Sequence, residues 1–167
     1  MRCFVFGTGR CGFTKLTLAL NKAVNYNVTR EVFCSLIEYP DCHIEVNPQL
    51  RIRMDELVEK YPEAIYVWLF RDTNIVTKNF LKRNNAQWLN TWWDFYKTIR
   101  PADSHRSAEI AVRELEKLCN IAWGHITQKN CLKIKMDIDN VEESFAKLWT
   151  MLKCEGDFQC AINLLKS

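Results

Sequence analysis

The segment that most constrains the fold is Ala64-Ile65-Tyr66-Val67-Trp68-Leu69-Phe70, seven residues without a charge and apolar at even and odd positions alike. Successive side chains of a strand point to opposite faces of its sheet, so such a run has to be covered on both. That is the pattern of a central parallel strand with helices packed over each side. A sheet of this kind needs strands alternating with helices, and the rest of the chain supplies them. Phe4-Val5-Phe6 is a short apolar run closed by Gly7, with Leu16, Leu18, Leu20 and Val24 beyond it at mixed helical spacing, which reads as strand, glycine-rich turn, helix. His43-Ile44-Glu45-Val46 predicts a second strand, and Met54, Leu57 and Val58 a helix after it. Further helices are expected over 74–83 and 107–123, and a last strand over 131–136. Asp139-Asn140 can cap a closing helix that carries Val141, Phe145, Leu148 and Leu152. The expectation is one three-layer α/β/α domain over residues 1–167 with a central parallel sheet.

Composition agrees with a globular domain: 48% of the 167 residues are hydrophobic and 26% charged. A chain near 150 residues buries roughly 68–70% of its unfolded surface, enough for a core without metal or disulfide staples. The 23 Lys and Arg nearly balance the 20 Asp and Glu, leaving +3, which excludes a polybasic nucleic-acid arm. No window approaches the ~18 apolar residues of a membrane helix, so neither nucleic acid nor membrane is an expected partner. The cysteines, at 3, 11, 34, 42, 119, 131, 154 and 160, contain no CxxC pair and no His at zinc-finger spacing. No metal site is expected. Met1-Arg2-Cys3-Phe4-Val5-Phe6 has no signal-peptide character, and free thiols in a reducing, cytoplasmic setting are expected; Cys34/Cys42 and Cys154/Cys160 are the pairs open to a secreted form.

Gly7-Thr8-Gly9-Arg10-Cys11-Gly12-Phe13-Thr14-Lys15 lies where a phosphate cradle belongs, between the first strand and its helix. Three readings are open. The nucleotide-triphosphatase pattern GxxxxGK plus Ser or Thr fits Gly7 and Gly12, but position 13 is Phe and the phosphate-reading Lys is missing. The dinucleotide pattern GxGxxG is met by Gly7, Gly9 and Gly12, with Glu31 about 20 residues on as the candidate ribose ligand. A plain tight turn is the third.

Gly9-Arg10-Cys11-Gly12-Phe13-Thr14 resembles the 5'-phosphosulfate loop of sulfotransferases. In that loop a basic residue, usually followed by Ser-Gly-Thr-Thr, grips the sulfate donor 3'-phosphoadenosine 5'-phosphosulfate (PAPS); Cys11 and Phe13 depart from the pattern. The family's second motif, an Arg ending a central strand and a Ser eight residues later, is matched by Arg71 and by Asn79, which still donates a hydrogen bond to phosphate. Tyr61-Pro62-Glu63-Ala64 is similar to the Phe-Pro-x-Ala lead-in of bacterial and Golgi members, and Cys131 through Leu152 resembles the family's closing strand, acidic turn and helix. The resemblance implies a P-loop nucleotide-hydrolase-like fold, PAPS as co-substrate without a metal, and a small-molecule, glycan or peptide acceptor carrying a hydroxyl or amine. Most sulfotransferases are longer than 167 residues, so a reduced acceptor-binding cap is expected.

Sulfuryl transfer builds negative charge on the oxygen joining sulfur to the departing 5'-phosphate. The resemblance assigns Arg10 to stabilising that charge, and Gly9, Cys11, Gly12, Phe13 and Thr14 to the loop around it. A single pre-positioned donor in such a place is worth about 2.7–4 kcal/mol. Arg71 offers a planar fork that matches a phosphate. The acceptor must also lose a proton, and three residues compete for that role. Glu31, in Thr29-Arg30-Glu31-Val32-Phe33, resembles the Glu-bearing stretch of tyrosylprotein sulfotransferases. Glu45 resembles the strand-borne Glu of heparan N-sulfotransferases, and His43 the imidazole of the cytosolic branch. Trp88, Trp92, Trp93, Phe95 and Tyr96, with Lys82, Arg83, Lys97 and Arg100 nearby, form an aromatic and basic segment from which Trp93 is a candidate to stack on the adenine or an acceptor ring. The rival functions are a kinase-like nucleotide phosphotransferase, which would need magnesium, and a non-catalytic nucleotide-binding module.

Overall fold

A computed structural model describes residues 1–31, 38–82, 104–126, 130–137 and 140–167. Its centre is a five-stranded, all-parallel sheet in the order β2-β3-β1-β4-β5, where β1 is Arg2–Gly7, β2 Asn27–Arg30, β3 His43–Val46, β4 Ile65–Phe70 and β5 Cys131–Lys135. Helices connect the strands: α1 Phe13–Leu20, a 3₁₀ helix Pro48–Arg53 running into α2 Met54–Lys60, α3 Thr73–Lys82, α4 Ser104–Gly124, α5 Val141–Leu152 and α6 Phe158–Lys166. The Trp-rich segment from 88 to 96 lies outside the described residues.

The two-faced strand anticipated at 64–70 is β4, beside β1 at the centre of the sheet. Its odd-numbered Ile65, Val67 and Leu69 join Cys3 and Val5 of β1 in a large apolar cluster with the buried faces of α1, α5 and α6. Its even-numbered Tyr66 and Trp68 join Phe4 and Phe6 in a second cluster, closed by Leu50, Met54, Leu57 and the Cys119 side of α4. Helices therefore cover both faces, as a doubly apolar strand requires. In α5 the buried residues Val141, Phe145, Leu148, Trp149 and Leu152 follow helical spacing, Glu142 and Glu143 complement the positive N-terminal end, and Lys153 at φ 51° stops the helix. The 3₁₀ helix, β2 and α6 were not anticipated. β2 is an edge strand of mixed polarity, and α6 is capped by Asp157, whose Oδ1 accepts from the Cys160 N–H at 2.8 Å.

Among the described residues Cys3, Cys11, Cys42, Cys119, Cys154 and Cys160 are free thiols, so Cys154 and Cys160 are not joined to each other; Cys34 lies outside. No described helix is long and apolar enough to cross a membrane.

A basic cavity at the carboxyl ends of the strands

β1 ends at Gly7, tight against β4. A Cβ there would stand 2.2 Å from the Leu69 carbonyl oxygen, so only glycine lets the strands stay paired while the chain turns. The turn uses positive φ three times, at Gly9 (88°), Arg10 (55°) and Gly12 (105°). The glycines adopt it freely, whereas Arg10 carries a cost of about 1–2 kcal/mol. Strain of this kind persists only where the surroundings hold it. The Thr8 hydroxyl and Cys11 thiol stand 2.9 Å apart and lie 3.1 and 3.0 Å from the Gly9 carbonyl oxygen. Helix α3 braces the other side: Asn79 Nδ2 donates to the Arg10 carbonyl at 3.5 Å, and the Arg10 guanidinium lies 5.7 Å from the Phe80 ring centre. Burial pushes the Cys11 thiol up to about 11, with the Thr8 hydrogen bond pulling against it. At neutral pH it is a thiol donor inside the loop, standing where the resemblance expects a hydroxyl.

Helix α1 opens from Gly12, which has no side chain to cap it, and its first bond runs from the Leu16 N–H to the Gly12 carbonyl at 3.0 Å. The N–H groups of Phe13, Thr14 and Lys15 therefore have no acceptor within the helix and carry its positive end. All three residues line a cavity of about 440 Å³, within the range of small-ligand sites. Among the described residues six basic ones line it, Arg10, Lys15, Arg30, Arg71, Lys82 and Lys166, against one acidic residue, Asp137. Asp137 is committed elsewhere: its carboxylate meets Lys135 Nζ at 2.8 Å and accepts from the Asn140 N–H and Nδ2. The Lys135 bond first, and Asn140 after it, hold that carboxyl below its ordinary range. Arg71, just beyond β4, is half-buried, and its Nε is buried with no hydrogen-bond partner among the described residues. An unsatisfied buried donor costs about 1–3 kcal/mol. A donor left over in a basic cavity at a strand's carboxyl end is suited to an anion.

The structure thus brings Arg10, Gly12, Phe13, Thr14, Arg71 and Asn79 together around one space. Phe13 contributes through its backbone, because its ring is buried in the apolar cluster with Leu16 and Met136. The three base candidates fall elsewhere. Glu31, at φ 54° just past the end of β2, is exposed and paired with Arg30 at 3.2 Å, so it touches the cavity through that neighbour. Glu45 and His43 lie on β3, which gives no residue to the cavity lining. Glu45 pairs in register with Phe4 and shares its face of the sheet, opposite the face built on Phe13 and Leu16. Both are buried, Glu45 to 1% exposure and His43 to 5%. The Thr29 hydroxyl donates to Glu45 Oε2 and lies 3.0 Å from His43 Nε2. This buried cluster belongs to the β2–β3 pair, contributes nothing to the cavity lining, and leaves His43 Nδ1 without a hydrogen-bond partner among the described residues.

Arg30, Lys166, Met136 and Asp137 line the cavity without having been expected there, and Lys15 and Lys82 had been noted only as part of the glycine loop and of the basic segment. Only the convergence of several strand ends and helix termini assembles them, and no short motif encodes that. The dinucleotide reading of the glycines does not survive the topology. In that fold the second strand lies beside the first, with its terminal acid near the ribose; here β3 lies between them, and Glu31 is one strand too far out. No protein-family model matches the chain, and no curated protein matches it.

Proposed function

We propose that the protein is a compact PAPS-dependent sulfotransferase with a P-loop-like nucleotide site. The observation that carries the reading is the union, in one basic cavity, of an uncapped helix N-terminus, the Arg10 loop and the pair Arg71 and Asn79. PAPS carries two anionic ends, a 5'-phosphosulfate and a 3'-phosphate, and two anion sites on neighbouring strand ends suit that separation of charge. In this assignment the α1 N–H groups, Thr14 and Arg10 hold the 5' end, and Arg71 with Asn79 holds the 3'-phosphate. The acceptor oxygen or nitrogen bonds to sulfur as the bond from sulfur to the 5'-phosphate oxygen breaks. The electron pair leaves on that oxygen, facing Arg10, and the acceptor proton passes to the base. Glu31 is assigned as the base, being the one of the three candidates that is exposed and joined to a cavity residue.

A kinase-like activity has less support, because the lysine that reads β- and γ-phosphates is replaced by a phenylalanine whose ring belongs to the core. The burial of His43 and Glu45 away from the cavity favours a second reading, nucleotide binding without turnover. Incubation with PAPS labelled in its sulfonate, with a panel of hydroxyl and amine acceptors and a chelator present, separates the two. Metal-independent transfer of label is expected. Binding of the donor with no transfer to any acceptor selects the binding module, and in a parallel incubation with ATP and magnesium and no chelator, transfer of phosphate selects the kinase.

A further inference from the structure

Arg30 ends β2 and lines the cavity, and two of its bonds define its place there. Nη1 donates to Thr14 Oγ1 at 2.6 Å, and Nη2 to Glu31 Oε1 at 3.2 Å. The first bond reaches from the sheet edge to the first turn of α1, where the unpaired N–H groups are. It also fixes what Thr14 can do. A hydroxyl has one proton and two lone pairs; with a lone pair committed to Arg30 and no acceptor for its proton among the described residues, Thr14 presents a donor. The guanidinium has five N–H donors in a planar fork, of which these contacts use two.

We infer that Arg30 is a binding residue for the oxyanion held at the N-terminus of α1, acting through its own remaining N–H groups and by turning the Thr14 hydroxyl into a donor toward that anion. Its neighbour Glu31 is held by the same guanidinium, so Arg30 ties the anion site to the residue assigned as the base. The inference deepens the sulfotransferase reading and rests on it for the anion's identity, a 5'-phosphosulfate, though not for the presence of an anion.

Calorimetric titrations with inorganic pyrophosphate and with adenosine 3',5'-bisphosphate test it on the wild type, Arg30→Met, Arg30→Lys, Thr14→Val and the Arg30→Met/Thr14→Val double variant. Arg30 is exposed at the end of an edge strand and Thr14 is exposed on α1, so these variants are expected to fold, and a thermal melt of each verifies that. A bond between a charged donor and an anion is worth about a 10–100-fold change in affinity. Arg30→Met should therefore weaken both ligands by roughly that factor, with Arg30→Lys between it and the wild type. Thr14→Val should cost several-fold in the wild type and much less beside Arg30→Met, because the hydroxyl is then no longer oriented; a merely structural role for Arg30 would give additive losses. Pyrophosphate affinity unchanged in Arg30→Met overturns the inference and leaves the sulfotransferase reading standing. Arg30-dependent pyrophosphate binding with no affinity for the adenosine bisphosphate does the reverse. A wild type that binds neither ligand overturns both.

Discussion

Arg10 offers a clean separation of stability from ligand affinity, because its backbone is strained and its side chain is assigned to an anion. Three states of position 10 differ in known ways. Arg10→Ala keeps the left-handed φ of 55° and its cost of about 1–2 kcal/mol, and loses the packing of the guanidinium on Phe80. Arg10→Gly loses the same side chain but relieves the backbone, less about 0.5–1 kcal/mol for the extra freedom glycine gives the unfolded chain. Glycine should thus be the more stable of the two by about 0.5–1 kcal/mol. At 2–4 °C per kcal/mol for a domain of this size, the expected gap in Tm is about 1–4 °C. Both variants should lose about 10–100-fold in affinity for adenosine 3',5'-bisphosphate, since neither presents a guanidinium. Differential scanning calorimetry gives the first quantity and titration the second. An Arg10→Ala protein as stable as Arg10→Gly would refute the left-handed conformation, and bisphosphate affinity retained in both would refute the role of the side chain.

Gly7→Ala would drive a Cβ to 2.2 Å from the Leu69 carbonyl oxygen, and a loss of about 3 kcal/mol, seen as a fall in Tm of roughly 6–12 °C, is expected; a Tm within 2 °C of wild type would contradict the close β1–β4 approach. Arg71→Met and Asn79→Ala should weaken adenosine 3',5'-bisphosphate while leaving adenosine 5'-monophosphate nearly untouched, and Asn79→Ser should keep most of the affinity; equal losses for both ligands would remove the 3'-phosphate from these residues. Glu31→Gln should lower turnover by about 10²–10⁴-fold at unchanged donor affinity, whereas Glu45→Gln, at a buried site bonded to Thr29, should lower Tm first; normal turnover in Glu31→Gln would end its assignment as the base. Burial raises the Cys11 thiol from 9.0 to about 11 and Cys119 and Cys154 to about 12. The protonated thiols therefore favour the native state fully below pH 9, and that contribution is lost as pH rises from 9 toward 12. Urea midpoints should fall steadily over that range, and a flat profile would contradict the burial of these groups.

The elements legible in the sequence were those whose residues are sorted by the core. The strand expected at 64–70 is observed at Ile65–Phe70, that at His43–Val46 at the same residues, and the final one, expected to 136, ends at Lys135. Each is buried enough for its hydrophobic pattern to be strong. β2 escaped because Asn27-Val28-Thr29-Arg30 pairs on one side only and exposes both its ends, so its pattern is weak. α6 escaped although Asp157 and the buried trio Ala161, Ile162 and Leu165 carry a cap and a helical spacing. Of the cavity lining, Arg10, Gly12, Arg71 and Asn79 were picked out by the resemblance to the two sulfotransferase motifs, which tie each to the end of a strand. That His43 and Glu45 share a face follows from period-two alternation, but which face is set by the register with Phe4, a property of the sheet.

If the basic cavity holds the two-ended anion of a PAPS-type nucleotide as proposed, adenosine 3',5'-bisphosphate should stabilise the fold in the presence of a chelator, which a thermal-shift measurement reads. Ligand at 100 times its Kd adds about 2.7 kcal/mol to the unfolding free energy, which for a domain of this size raises Tm by about 5–11 °C. A shift of that size is expected without metal, and a much smaller one for ATP with or without magnesium. No shift at millimolar bisphosphate, or a larger one with ATP and magnesium, would contradict it.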